Sequence, residues 1–187
     1  MILLVNGKDT YFDWMLMSPF YAAPQLLTYD FDGDGTKDLG VILKTGGGSG
    51  VSVGELHILK SIEAPGYDTV DYLLTAEAAW EMMSEIPLTA ELADDHNTFI
   101  FGVFGERYEI DCSGYNDSRS GTLTGVMHDH LNVNFTFEDN RIKVAVAVGA
   151  KYENIAPLQD FGSVSAYVVF DGENFSLEEP VFSILEY

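Results

Sequence analysis

Cysteine occurs once in the chain, at Cys112. Without a second thiol there can be no internal disulfide and no cysteine-based zinc site. No neighbour of Cys112 suggests an activated thiolate, so it reads as a small buried hydrophobe. Basic residues are also scarce: 9 Lys and Arg stand against 30 Asp and Glu, a formal net charge of −21. That balance argues against nucleic-acid binding, which depends on cations neutralising phosphates, and against docking on anionic lipid. It favours solubility and the attraction of cations. Long apolar runs are missing too. The stretch Met1-Ile2-Leu3-Leu4-Val5 stops at Asn6-Gly7-Lys8, too short for a membrane span or a signal-peptide core. No membrane insertion is expected, and an exported form implies a signal already removed from this chain.

What is present points to strands. The chain has 187 residues, of which 47% are hydrophobic and 13% aromatic, enough for a sizeable core and suited to pleated, half-buried surfaces. The expectation is a mainly β (α+β) fold over 1–187: one antiparallel β-rich domain, sandwich-like or partial-propeller-like, with one amphipathic helix near 75–86. Ile2 to Val5 and Thr10 to Trp14 flank Asn6-Gly7-Lys8 and predict a hairpin. Leu39–Lys44 and Val51–Lys60 predict a second, joined by Gly46-Gly47-Gly48-Ser49-Gly50 as a flexible turn. Pro19 and Pro24 mark an irregular connection carrying Tyr21. For the helix, Thr75 can cap, Glu77 suits the first turn, Ala79, Trp80, Met83 and Ile86 share a face, and Pro87 ends it. Strand patterns return over Thr98–Phe104, Arg107–Cys112, Leu131–Phe137, Arg141–Val148, Val164–Phe170 and Phe175–Leu185, with turns at Glu138-Asp139-Asn140 and Asp171-Gly172-Glu173-Asn174.

The most informative segment is Asp30-Phe31-Asp32-Gly33-Asp34-Gly35-Thr36-Lys37-Asp38. Carboxylates on alternate positions of a tightly turning backbone aim several oxygens at one point, which suits calcium, a hard cation taking six to eight oxygen ligands. Gly35 permits the sharp turn and the Thr36 carbonyl supplies a further ligand. The expected metal site is therefore Asp30, Asp32, Asp34, Thr36 and Asp38, holding Ca²⁺. The twelfth position, where an EF-hand places a bidentate Glu, is Val41, which excludes an ordinary EF-hand. A dockerin-type loop would lead into a helix, whereas here Leu39-Gly40-Val41-Ile42-Leu43 follows, a strand. The pattern resembles the calcium loops of FG-GAP and VCBS-type repeats of bacterial surface and secreted β-proteins. The resemblance covers roughly Leu26 to Leu59, with Asp30, Asp32, Asp34 and Asp38 as the matching side chains. It implies a loop joining strands. A complete propeller needs several such blades, and this chain carries one loop. A loop lacking the twelfth ligand should bind at about 10⁻⁴ to 10⁻³ M, the range of extracellular modules, which implies an extracellular or cell-envelope location and a staple for the fold.

Other patterns suggest catalysis less strongly. Gly50-Val51-Ser52-Val53-Gly54 matches G-x-S-x-G and is followed by Asp94, Asp117 and His128 in a hydrolase-compatible order. The residues after it continue as strand, however, where a nucleophile elbow needs a helix. Gly46 to Gly50 lacks the Gly-Lys-Ser/Thr ending of a phosphate loop. His128 and His130 would share a face of an extended segment and could pair on a metal with Asp94 or His96. Glu106 with Glu109, and Asp94 with Asp95, are unremarkable in so acidic a chain. Tyr67 and Tyr115 could stack on sugars, though packing or plain surface placement accounts for them as well. The leading expectation is a non-catalytic, calcium-stabilised binding or structural module with a protein or carbohydrate ligand. The alternatives are a hydrolase built on acidic residues or Ser52, and a regulatory domain of a larger exported assembly.

Overall fold

Along Arg141-Ile142-Lys143-Val144-Ala145-Val146-Ala147-Val148 every second residue is aliphatic. In a strand successive side chains point to opposite faces, so one face of this segment must be covered. In the computed structural model Ile142, Val144, Val146 and Val148 are all buried. Each contributes about 1.5–3 kcal/mol by leaving water. The structure describes residues 1–5, 8–17, 22–61, 67–94, 97–115, 119–155 and 158–185.

The strands are β1 (Ile2–Val5), β2 (Lys8–Tyr11), β3 (Gln25–Tyr29), β4 (Asp38–Gly48), β5 (Val51–Ser61), β6 (Tyr67–Leu74), β7 (Thr89–Leu92), β8 (Thr98–Val103), β9 (Glu106–Asp111), β10 (Leu123–Glu138), β11 (Arg141–Tyr152), β12 (Gln159–Phe170) and β13 (Phe175–Ile184); the helix α1 is Ala76–Ser84. The main sheet has the order β13-β12-β11-β10-β5-β4-β3 and curls into a half-barrel. Its pairings are antiparallel except at one junction, where Asn132 and Val133 of β10 lie parallel to Ser52 and Val53 of β5. The same edge of β5 then changes partner, and Leu56 to Ser61 pair with β6. A three-stranded sheet, β7-β8-β9, and a two-stranded one, β1-β2, complete the described strands.

The helix forms where its signals lie. Thr75 Oγ1 accepts from the Ala78 amide at 3.1 Å, Glu77 occupies the first turn, and Ala79 and Met83 are buried. These two side chains join Phe99 and Phe101 of β8 and the inner face of β10 to β12 in one core. Phe101 lies 5.0 Å from the Phe161 ring and 4.8 Å from that of Phe182, so β8 and the main sheet meet through aromatic contacts. A smaller core of Phe12, Leu39, Val41, Leu43 and Leu59 forms on the other face of β4 and β5. There the Trp14 indole donates to Asp71 Oδ2 at 2.7 Å and packs on the His57 ring.

In three places the local structure departs from what the sequence suggests. Gly46 to Gly48 do not form a loop: they belong to β4, opposite Val53, Ser52 and Val51, after a bulge at Lys44/Gly46. The turn is only Ser49-Gly50. A Cβ on Gly46 would sit 2.6 Å from Val53 Cγ2, so the missing side chain here makes room for a cross-strand neighbour. β3 and β7, each short and largely exposed, were not anticipated. The Asn6-Gly7 turn, Pro19 and Tyr21 lie outside the described residues. The turn at Asp139-Asn140 is as expected, with φ of 49° and 62°, the positive pair that a primed hairpin turn demands.

Candidate metal centre

The acidic loop is the connection of the β3–β4 hairpin. Tyr29 pairs with Asp38, so the register brings Asp30, just past the end of β3, close to Asp38, the first residue of β4. The seven residues between them fold back through Gly33 and Gly35, with φ of 74° and 90°, a region that glycine enters without a Cβ penalty. Backbone amides turn inward as a result. Gly35 N–H donates to Asp30 Oδ2 at 3.0 Å, Asp34 N–H to Asp32 Oδ1 at 3.1 Å, and Phe31 N–H to Asp38 Oδ2 at 3.1 Å. Phe31 anchors the loop. Its ring packs on Phe137, and both rings come within 3.0 Å of where a Cβ on Gly40 would be.

This wrapping brings one oxygen each of Asp30, Asp32 and Asp38 within 4.8 Å of one another. Asp38 is fully buried, and the Asp32 side chain is 3% exposed. Asp30 Oδ1 is buried with no hydrogen-bond partner. Three carboxylates at such separations repel by roughly 3 kcal/mol per pair at an effective dielectric constant of about 20. One cation already faces them: Lys60 Nζ lies 2.5 Å from Asp32 Oδ2 and 3.6 Å from Asp34 Oδ2. Its bond to Asp32 is the main reason the ammonium is held above the ordinary lysine range. The β12–β13 turn closes the site, since a Cβ on Gly172 would meet Asp32 Oδ2 at 3.2 Å.

Asp34 and Thr36 stand apart from this triad. Asp34 is exposed, and its Oδ1 accepts from the Thr36 amide at 2.8 Å and hydroxyl at 2.5 Å. These bonds, the hydroxyl first, hold its carboxyl below the usual range.

The remaining residues singled out by sequence do not assemble into one site. Ser52 lies on β5, which runs on through Ser61, so no helix follows it and the nucleophile elbow is absent. Ser52 Oγ donates to Asn134 Oδ1 at 2.7 Å and accepts from Lys44 Nζ. His128 is buried whereas His130 is exposed, because a bulge breaks the β10–β11 pairing between His128 and Val133. Asp94, Glu106 and Glu109 are exposed. Asp95, His96 and Asp117 lie outside the described residues, as do the side chains of Tyr67 and Tyr115. Among the described residues the one group of three metal-ligating side chains is Asp30, Asp32 and Asp38.

Sequence reasoning missed Lys60, although the hairpin register offered a signal: Leu39 pairs with Leu59, which puts Lys60 one step further, beside Asp38. It also missed a partly buried constellation at the β10 bulge. Asn132 Nδ2 donates to Asp129 Oδ2 at 2.8 Å and to Asp160 Oδ2 at 2.9 Å. Burial, and then the charge of Asp129, push the Asp160 carboxyl up to about 6. Nothing in the spacing of Asp129 and Asp160 could have revealed this, because the β10–β11 and β11–β12 pairings together bring them close.

Comparison of the chain with protein families, curated proteins and solved structures gave no match. No helix among the described residues is long and apolar enough to cross a membrane.

Proposed function

We propose that the Asp30–Asp38 loop binds Ca²⁺ and that the protein is a calcium-stapled binding or structural module of a secreted or cell-surface bacterial protein. In this reading the loop is of the FG-GAP/VCBS kind. Asp30, Asp32 and Asp38 form the centre of the ligand set, and the Asp34 side chain and Thr36 carbonyl complete it. The observation that carries the reading is Asp30 Oδ1: a buried carboxylate oxygen without a partner, beside two more carboxylates. A buried anionic oxygen is costly unless something positive meets it, and a hard divalent cation among oxygen donors does so. The ion would tie the end of β3 to the start of β4, and through Gly172 it would sit against the β12–β13 turn.

Thermal unfolding with and without calcium tests this. With a dissociation constant of about 10⁻⁴ to 10⁻³ M, roughly 10 mM calcium adds about 1.4–2.7 kcal/mol, a rise in melting temperature of about 3–10 °C for a chain of this size. Asp32→Ala should lose most of that rise. An unchanged wild-type melting temperature, or an equal rise in the variant, would sink the proposal.

A further inference from the structure

A second site lies further along β4. From Asp38 to Lys44 the strand runs about 20 Å, and beyond the bulge Lys44 borders a pocket of about 420 Å³ whose other described lining residues are Met17, Ala22, Gly47 and Gly48. The volume falls in the range of small-molecule sites, which are mostly apolar with a few placed polar groups. The pocket wall is held in place. Met17 N–H donates to Lys44 O at 2.8 Å, and Met17 Sδ lies 3.0 Å from where a Cβ on Gly47 would be. Glycine at 47 therefore leaves room for the Met17 side chain at the pocket wall.

Lys44 differs from the other described cations in combining partial burial with the lack of a carboxylate partner, whereas Lys37 and Lys151, which also pair with no carboxylate among the described residues, are exposed. Lys60, Arg107, Arg141 and Lys143 each pair with a carboxylate. Lys44 pairs with none among the described residues, in a chain where acids outnumber bases 30 to 9. Its partners are neutral oxygens: it donates to Ser52 Oγ and, at 2.6 Å, to Asn134 Oδ1. An ammonium has three donors, so one N–H is left by this pair. Burial holds Lys44 below the ordinary lysine range, the effect of a charge only partly compensated. Ser52 and Asn134 hold the ammonium of this lining residue in place.

We propose that this pocket binds a small carboxylate carrying a short apolar body, with the anion accepting from Lys44 Nζ and the apolar part lying against Met17, Ala22 and the Gly47-Gly48 backbone. The net negative charge of the protein does not forbid it, since at physiological salt charges more than about 8 Å away are largely screened. The site is independent of the calcium reading and should respond alike with calcium or a chelator present.

The test uses the whole chain with ¹³Cε-labelled lysine, titrated with hexanoate, hexanol and N-acetyl-leucine. Hexanoate should shift the Lys44 resonance saturably in the millimolar range, and hexanol should bind at least about tenfold more weakly. N-acetyl-leucine separates the two sources of the same chemistry: binding tighter than hexanoate points to a peptide C-terminus, and weaker binding to a free aliphatic acid. Lys44→Met should lose hexanoate affinity by about tenfold or more, followed by calorimetric titration, with hexanol unaffected. Lys44→Gln serves as the second uncharged variant should the first fold poorly. The proposal is overturned if neither acid gives a saturable shift, if hexanol matches hexanoate, or if both uncharged variants bind hexanoate like wild type.

Discussion

Two clusters of aspartates in this protein meet the same difficulty in opposite ways. At the β3–β4 loop, Asp30, Asp32 and Asp38 are ringed by backbone amides and faced by the Lys60 ammonium. At the β10 bulge, Asp129 and Asp160 have a neutral mediator: the Asn132 amide bridges them, and Asp160 is pushed up to about 6. The first cluster gathers positive partners around its carboxylates. The second relieves repulsion by favouring a proton on one member. How crowded carboxylates are accommodated thus depends on the donors around them and on burial, more than on how many there are.

The comparison can be broken most forcefully at Asp38. It is fully buried and accepts from the Phe31 amide, so Asp38→Ala should cost about 3 kcal/mol in denaturant unfolding and also abolish the calcium-dependent rise. If the variant keeps that rise, the first cluster is not organised around a cation.

Asn132→Ala comes next. Removing the bridge leaves the buried Asp129 and the half-buried Asp160 without their shared donor, a cost of about 2 kcal/mol at neutral pH. The loss should shrink in acid, where a proton can replace the bridge.

Asp160→Asn tests the proton directly. The folded chain holds a proton that the unfolded chain releases between 3.8 and about 6, so wild-type stability falls as pH rises through that window. The variant should lack this fall and gain about 1 kcal/mol at pH 7, after discounting for solvent screening of a half-exposed group. A pH series of urea midpoints reads it.

The smallest effect belongs to His128, where burial pushes the imidazole down from 6.5 to about 4. The unfolded chain takes up a proton below 6.5 that the folded chain refuses until about 4, so stability falls as pH drops through that interval and is fully present above it. His128→Leu should flatten that slope by up to about 1 kcal/mol, again discounted for solvent screening. In wild type the His128 and Asp160 contributions oppose each other between about 4 and 6, so the single variants should bend the pH profile in opposite directions.

Much of the fold was legible along the chain. The alternation from Arg141 to Val148, the positive-φ pair at Asp139-Asn140 and the cap at Thr75 are local signals, each needing only a few consecutive residues to act. The acidic loop was legible for the same reason. Gly33, Gly35 and the alternate aspartates shape one short turn, and the β3–β4 hairpin does the rest. Gly46 to Gly48 misled because glycine commonly marks a turn, yet here it relieves crowding against Val53 from the neighbouring strand.

By itself, then, the sequence determined the strand-rich character, the single helix and the existence of a turn that gathers carboxylates, because periodicity, caps and turn residues act over short range. Only the tertiary structure decided the curl of the sheet, the placement of Lys60 against Asp32, the Asn132 bridge and the pairing of Lys44 with Ser52 and Asn134. Those depend on which strands become neighbours. Asn134 lies 90 residues from Lys44, and they meet because β10 docks parallel on β5. Such a contact leaves no mark in local spacing, since the entropy of closing so long a loop is offset by the packing of the whole sheet and by no motif at either end.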